Sequence, residues 1–414
     1  MSNSKAYIIL ISMMFISMLS MAGIALPYPI LAPLFVDAPL NDFNHFLQFP
    51  PKILLAIVLA AFPVGALIGS TFLGALSDSY GRKWTLAGSI SLSALGYVLC
   101  GYALLQQDYL MFVFARFVTG LFSGNVSIAR AIAADLHPVI DKTRAFSWTY
   151  AAGYVGWLVG PLAGGYLMLL GAHTAFFAAT IALMVSAILT VTLISETSQS
   201  TTDPQHRFFH LLYQHNSLRL LHHKALQKVF VLALVMNLGL NAFYEFYPVW
   251  LVEVFSFSSI QIGHHTAVLT LCMVLASSLL LERIRNTLGK IGSIVYALVL
   301  AGCLLLATPF VNMSWILPYF VFMGMLIAVF NGLLPVYFSD RYEQFGQGKL
   351  MGLLTITFYL ANALIAIIGG IVSLVGATWS VVLGGLILLV SASLLRLFDR
   401  STSYEEARLE VPGR

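Results

Sequence analysis

Two ionisable side chains, Arg116 and Glu245, lie inside long apolar stretches of the sequence. An ionised group in apolar surroundings is costly unless it reaches water or an opposite charge, so such groups usually serve a function. Burial favours the protonated form of a carboxyl group, which would let Glu245 bind and release a proton. Arg116 stays charged and can bind an anionic ligand or the deprotonated glutamate. The two residues therefore predict a coupling or substrate site, and a static ion pair is the alternative interpretation.

A polar stripe leads up to Glu245. Asn237, Asn241 and Glu245 recur every four residues, which places them on one face of a helix. Such a face should look toward water or a ligand, and Tyr244 beside it could stack on the ligand. Hydrogen bonding between helices is the alternative for the two asparagines. We predict that these four residues line a cavity and that Glu245 carries the proton.

Motifs for enzymatic chemistry are absent from the sequence. It has no His-Glu-x-x-His motif, no phosphate-binding Gly-x-x-x-x-Gly-Lys motif and no Ser-His-Asp arrangement. Its three cysteines lie far apart in apolar runs, and the histidines of the central region match no metal motif. We therefore predict that the protein is not an enzyme, binds no metal or other cofactor, and does not use ATP.

The composition indicates which elements position these residues. Of the 414 residues 59% are hydrophobic and only 9% are charged, whereas a soluble domain carries about 25% charged residues. Apolar segments long enough to span a bilayer recur along the chain. These are residues 7–36, 53–76, 84–105, 109–134, 145–168, 174–195, 229–252, 265–281, 291–310, 315–338, 350–375 and 379–398. The predicted fold class is an all-α integral membrane protein with twelve transmembrane helices, numbered here in this order.

Lysine and arginine residues predict the orientation of the helices. With a cytoplasmic N-terminus, eighteen of them fall on the cytoplasmic side, Lys52 alone falls outside, and Arg116 and Arg130 lie within a helix. This distribution predicts that both termini are cytoplasmic. The membrane that we expect to hold the protein is a bacterial-type inner membrane.

Four sequence matches share one offset of 205 residues, among them the pairs Asp135/Asp340 and Arg144/Lys349. Such a repeat predicts two six-helix halves. We expect an N-terminal bundle over residues 1–196, a cytoplasmic central loop over 197–228, a C-terminal bundle over 229–398 and a cytoplasmic tail over 399–414.

Three motifs resemble those of the major facilitator superfamily, and in particular its drug:proton antiporters of the tetracycline-resistance type. The segment GALSDSYGRK resembles the signature loop between helices 2 and 3 through Gly74, Asp78, Gly81, Arg82 and Lys83. The segment RFVTGLFSG resembles the helix 4 motif through Arg116 and Gly120. The segment GWLVGPLAGG resembles the antiporter motif of helix 5 through Gly156, Gly160, Pro161, Gly164 and Gly165, although Ser147 stands where a further glycine is expected.

The resemblance implies a latch that holds the outward-open state closed on the cytoplasmic side. Asp78 would lie near the positive start of helix 11, and Arg82 and Lys83 would pair with acids or lipid head groups. Asp135 is the expected partner of either Arg82 or Arg144. The second half lacks an equivalent latch, because Asn286 stands at the position of the aspartate.

The resemblance also implies a central cavity lined by helices 1, 4, 7 and 10. Arg116 and Glu245 each lie eight residues from the outer end of their helix, roughly 12 Å deep, so we expect them to face one space. In helix 5, glycines spaced by four form a flat ridge and Pro161 bends the helix, which predicts a hinge against helix 8.

We conclude from the sequence that the protein is a secondary transporter that exports a small organic molecule in exchange for protons by alternating access. The alternative is a proton-coupled importer of a nutrient, metabolite or siderophore-like compound on the same scaffold. The expected partners are the substrate, protons and membrane lipid, without nucleic acid, and the protein is expected to be a monomer.

Overall fold

A computed structural model describes residues 3–194, 217–345 and 347–410 of the chain. The secondary structure of these residues is helical, and twelve of their helices are long and apolar enough to cross a membrane. In chain order, α1 to α12 are Asn3–Asp37, Pro51–Tyr80, Arg82–Gln106, Tyr109–Ala134, Arg144–Leu170, Ala172–Leu193, Lys224–Phe255, Ser259–Leu279, Leu281–Leu306, Met313–Arg341, Lys349–Val372 and Ala377–Arg400. The predicted fold class is confirmed.

Most of the predicted central loop, residues 195–216, lies outside the described residues. The division of the chain into two bundles, a loop and a tail therefore stays a prediction. The helical conformation of α12 continues to Glu410, so the segment predicted as a tail begins as an extension of the last helix.

Helix α4 consists of two pieces, Tyr109–Leu121 and Asn125–Ala134, separated by a turn. Arg116 lies on the first piece and Arg130 on the second. The first piece packs closely on α2, because a Cβ atom at Gly120 would collide with the carbonyl oxygen of Phe62. This close approach brings the Phe62 ring against Arg116, with 5.0 Å between the guanidinium carbon and the ring centroid.

The glycine ridge of α5 packs on α1, not on α8. A Cβ atom at Gly160 would lie 2.5 Å from the carbonyl oxygen of Ala22, and Cβ atoms at Gly156 and Gly164 would also collide with the backbone of α1. The ridge predicted from the spacing does admit another helix, but that helix is α1, so these three residues are not part of a hinge between helices 5 and 8. The spacing of four defines a helix face, but the neighbour of that face depends on the tertiary fold.

Gly165 and Pro161 do contact α8, as the sequence predicts for the hinge. A Cβ atom at Gly165 would lie 2.7 Å from the Ser259 oxygen, and one at Gly263 would lie 2.6 Å from the Pro161 oxygen. These contacts lie at the outer end of the bundle, by which we mean the end where α2 and α8 begin; the charge pattern predicts this end to be periplasmic. The opposite end is called the inner end.

Helices α5 and α8 diverge toward the inner end. A cavity of about 1000 Å³ separates them there, lined by Phe146, Tyr150 and Tyr154 of α5 and by Leu271 and Val274 of α8. Helices α5 and α8 thus contact each other at the outer end and are apart at the inner end.

Candidate functional site: a cavity between the first and last six helices

The central cavity has a volume of about 260 Å³ and lies between the two sets of six helices. Its walls come from α1, α2, α4, α5, α7 and α11. They include Tyr28, Leu59, Phe62, Pro63, Arg116, Trp157, Glu245, Pro248, Phe358, Tyr359 and Asn362. The predicted set of helices 1, 4, 7 and 10 is only partly right, because α10 does not line this cavity while α2, α5 and α11 do. Helices α2 and α11 join the wall because they pack against each other, as the contact between Gly370 and Ala56 shows.

Glu245 is buried in the wall, with 5% of its surface exposed. Its Oε1 atom accepts a hydrogen bond of 2.8 Å from Nδ2 of Asn362 on α11. The Tyr28 hydroxyl of α1 is directed to the same carboxylate. The groups that contact the carboxylate are therefore neutral hydrogen-bond donors.

Arg116 lies across the same cavity and is 6% exposed. Its Nε and Nη1 atoms are buried without a hydrogen-bond partner among the described residues. No ion pair of the described residues joins it to Glu245, although the two groups are close enough to interact through the electrostatic field. The structure thus brings Arg116 and Glu245 to one cavity, as the sequence predicts, but it does not pair them.

Asn241 and Tyr244 line a second cavity of about 190 Å³, which shares Tyr28, Trp157 and Phe358 with the central one. The Nδ2 atom of Asn241 donates to the Phe358 oxygen over 3.4 Å. The Tyr244 hydroxyl contacts the Met273 sulfur at 3.7 Å. The prediction that Asn241 and Tyr244 face a cavity agrees with this arrangement, although that cavity lies beside the one that holds Glu245.

Asn237 does not line either cavity. Its Nδ2 atom donates to Oγ1 of Thr357 over 3.4 Å, and only 8% of the residue is exposed. For Asn237 the alternative interpretation is therefore the correct one, because the residue forms a hydrogen bond between α7 and α11 and does not face either of these cavities.

At the inner end, Arg82 binds Asp135 with 2.6 Å between Nη1 and Oδ2. Asp78 lies 3.9 Å from the same guanidinium group. Arg144 instead stacks on Trp148 at 4.7 Å, and Lys83 stacks on Trp84 at 5.4 Å. Of the two partners considered for Asp135, the structure therefore selects Arg82. The place of Asp78 beside the start of helix 11 stays a prediction, since the side chains of residues 346–348 lie outside the described residues.

The two glycines of the GALSDSYGRK segment differ in their roles. Gly81 has a φ of 97°, a value that favours glycine, and it joins α2 to α3 as a single residue. A Cβ atom at Gly74 would meet no atom within 4 Å. Nothing in the structure requires a glycine at position 74.

Sequence reasoning missed Asn362 and Phe62. Asn362 is a single amide in the apolar segment 350–375, without a periodic polar partner that could have drawn attention to it. Phe62 is one aromatic residue among many in an apolar helix, and only the contact between α2 and α4 gives it a special position. Within the described ranges, no group of three or more potential ligands forms a metal site.

Twelve spanning helices around a buried, charged cavity define a polytopic membrane transporter. Residues 10–366 match the Major Facilitator Superfamily, and the chain belongs to this family of transport proteins, which are not enzymes. Its relatives include the class H tetracycline resistance protein of Pasteurella multocida, which is 25% identical over 83% of this chain and 84% of its own length. Multidrug resistance protein 2 of Bacillus subtilis is 23% identical over 94% of both chains.

Among solved structures, the nucleoside transporter NupG superposes with a TM-score of 0.71 over 94% of this chain and 98% of its own. Its sequence identity is 14%, so this likeness concerns the fold alone.

Proposed function

We propose that the protein exports a small organic molecule across the inner membrane in exchange for protons. One observation carries the proposal: the first six helices supply Arg116, the last six supply Glu245, and both line one buried cavity. Relative movement of the two sets of helices would expose this cavity to each side of the membrane in turn. The efflux relatives support export over import.

Glu245 is the proton carrier in this proposal. Its neutral neighbours Asn362 and Tyr28 hold the side chain in place. Glu245 would bind a proton from the outer side and release it to the inner side. The substrate would move in the opposite direction, from the inner side to the outer side. The carrier works as a single chain with both termini in the cytoplasm, and the proton gradient replaces any cofactor.

The test uses everted membrane vesicles in which respiration acidifies the interior. Adding an exported compound to such vesicles should dissipate the pH gradient, which a pH-sensitive dye reports. Compounds for this test are those to which expression of the protein gives resistance in a pump-deficient strain. Glu245→Gln should abolish the dye response, whereas Glu343→Gln, the same change at an exposed acid, should preserve it. A full response from Glu245→Gln would contradict the proposal.

Import together with protons is the second candidate. It is favoured by one observation, the buried and unpartnered nitrogen atoms of Arg116. These atoms favour an anionic substrate, and an anion at Arg116 favours a proton on Glu245. Right-side-out vesicles distinguish the candidates, because an importer would draw protons inward when its substrate is added outside.

A further inference from the structure

The proton chemistry of the central cavity leaves one feature unexplained, the unmet hydrogen-bonding capacity of Arg116. We propose that the central cavity binds an organic anion and that the guanidinium group of Arg116 holds its anionic group. The inference rests on the proposed function in one respect only, namely that this cavity is the transport site.

The surroundings of Arg116 leave it available to a ligand. The residue is 6% exposed, and its Nε and Nη1 atoms have no partner among the described residues. On one side the guanidinium group stacks on the Phe62 ring, and Glu245 opposite is already bound by Asn362. Buried donors without partners are costly. A carboxylate or another planar anionic group can accept paired hydrogen bonds from one edge of a guanidinium group, so it would satisfy either Nε or Nη1 together with Nη2.

The rest of the wall indicates the body of the anion. Five aromatic residues line the cavity beside the charged groups: Tyr28, Phe62, Trp157, Phe358 and Tyr359. Aromatic faces favour a flat, apolar ligand. The volume of about 260 Å³ is slightly below the ~300 Å³ at the lower end of typical ligand sites, so the ligand is small. The expected class is a small aromatic or otherwise planar monoanion.

A second arginine, Arg130, lies closer to the inner end of the bundle than Arg116 does. Arg130 stacks on Tyr150 with 3.7 Å between its guanidinium carbon and the ring centroid. Tyr150 borders the cavity between α5 and α8, and Tyr154 borders both this cavity and the one that holds Asn241. An anion that enters from the inner end would therefore meet a positive charge before it reaches Arg116.

Charge balance links the anion to the proton. With Glu245 deprotonated, the empty site is neutral in sum, because the carboxylate balances the charge of Arg116. An anion alone makes the sum negative, whereas an anion together with a proton on Glu245 restores neutrality. In a buried site of low polarity the neutral combinations are favoured, so anion and proton support each other's binding. An anionic substrate that binds together with a proton corresponds to co-transport, the second candidate, and the vesicle measurements of the proposed function decide between co-transport and exchange.

The test compares three probes that share a naphthalene ring: 2-naphthoate, 2-naphthamide and 2-naphthylmethylammonium. Binding to the purified full-length protein in detergent is measured by calorimetry, without a membrane or a gradient. The anion should bind on the order of tenfold more tightly than the amide, the size expected for a charged hydrogen bond. Arg116→Gln should remove this preference, and Arg285→Gln, a change at an exposed arginine, should not.

Two further readouts complete the test. The affinity for 2-naphthoate should rise as the pH falls over the range in which the probe stays ionised, and in Glu245→Gln it should be high and independent of pH. Unchanged binding of 2-naphthamide shows that the Arg116→Gln variant is folded. If the amide does not bind, a cooperative thermal unfolding transition provides the same control. Equal affinities for the three probes, a preference for the cation, or an anion preference that survives Arg116→Gln would overturn the inference. Because binding is measured at equilibrium and without a gradient, the result tests the anion site separately from proton-driven transport.

Discussion

Lys52 and Glu253 join the two sets of helices at the outer end, with 2.8 Å between Nζ and Oε1. Lys52 belongs to the first turn of α2, and Glu253 to the last turn of α7. Lys52 also donates to the Ser373 oxygen over 2.8 Å, and Glu253 accepts from the backbone of Ala377 over 2.8 Å. This ion pair bridges first-half and last-half helices, so it must break when the outer side opens.

Lys52→Gln should therefore shift the protein toward an outward-open state. A partly exposed ion pair stabilises a conformation by about 0.2–1 kcal/mol, which corresponds to an increase of up to about fivefold in the open population. The increase can be measured as the rate at which an impermeant thiol reagent labels Ala56→Cys, because Ala56 is buried between α2 and α11. The native Cys100, Cys272 and Cys303 are first replaced by serine.

Lys290→Gln is the matched control for this experiment. It also breaks a lysine–acid pair, with Asp340, but both partners belong to the last six helices. Its labelling rate should equal that of the parent protein. An equal rise in both variants would show that the effect is a general loss of stability and not the release of the outer contact.

Arg116→Met should raise the apparent melting temperature of the ligand-free protein. The substitution removes two buried donors that have no partner in the described part of the chain, each of which costs about 1–3 kcal/mol. Glu245 can then become neutral by taking up a proton. Arg341→Met is the comparison, since Arg341 binds Asp399 at 2.9 Å and its loss should lower the melting temperature. If both variants are destabilised to the same degree, the Arg116 guanidinium group has partners in the folded protein.

Substitution of two motif glycines by alanine tests whether close packing requires a glycine at each position. Gly160→Ala would push a methyl group to 2.5 Å from the Ala22 oxygen, so α1 and α5 must separate. We expect a loss of about 1–3 kcal/mol, the usual cost of overpacking, visible as a lower melting temperature and reduced transport. Gly74→Ala meets open space and should melt as the parent does. A Gly160→Ala variant as stable as the parent would exclude the close contact between α1 and α5.

The sequence predicts the helices from their apolar length, and it predicts the shared cavity from residue depth together with the family resemblance, which implies that helices 4 and 7 face one space. Long apolar runs must span a bilayer, and equal depth along two helices places Arg116 and Glu245 at one level. Neighbours across helices are less predictable, since the face that carries Gly160 could have packed against α8 as well as α1. The hydrogen bond from Asn362 to Glu245 and the ion pair of Lys52 with Glu253 each join residues that are more than a hundred positions apart in the sequence. No local pattern marks such contacts.

The inner-end contact between Arg82 and Asp135 provides the last prediction. Because the two side chains are 2.6 Å apart, Arg82→Ala and Asp135→Ala should not be additive in their effects on the melting temperature. A coupling of about 0.5–1 kcal/mol is expected for a pair that is one-fifth to one-third exposed. The pair Arg144→Ala and Asp135→Ala is the control and should be additive, because Arg144 stacks on Trp148. Coupling in the second pair and none in the first would mean that Asp135 binds Arg144, the partner that the sequence left open and the structure does not select.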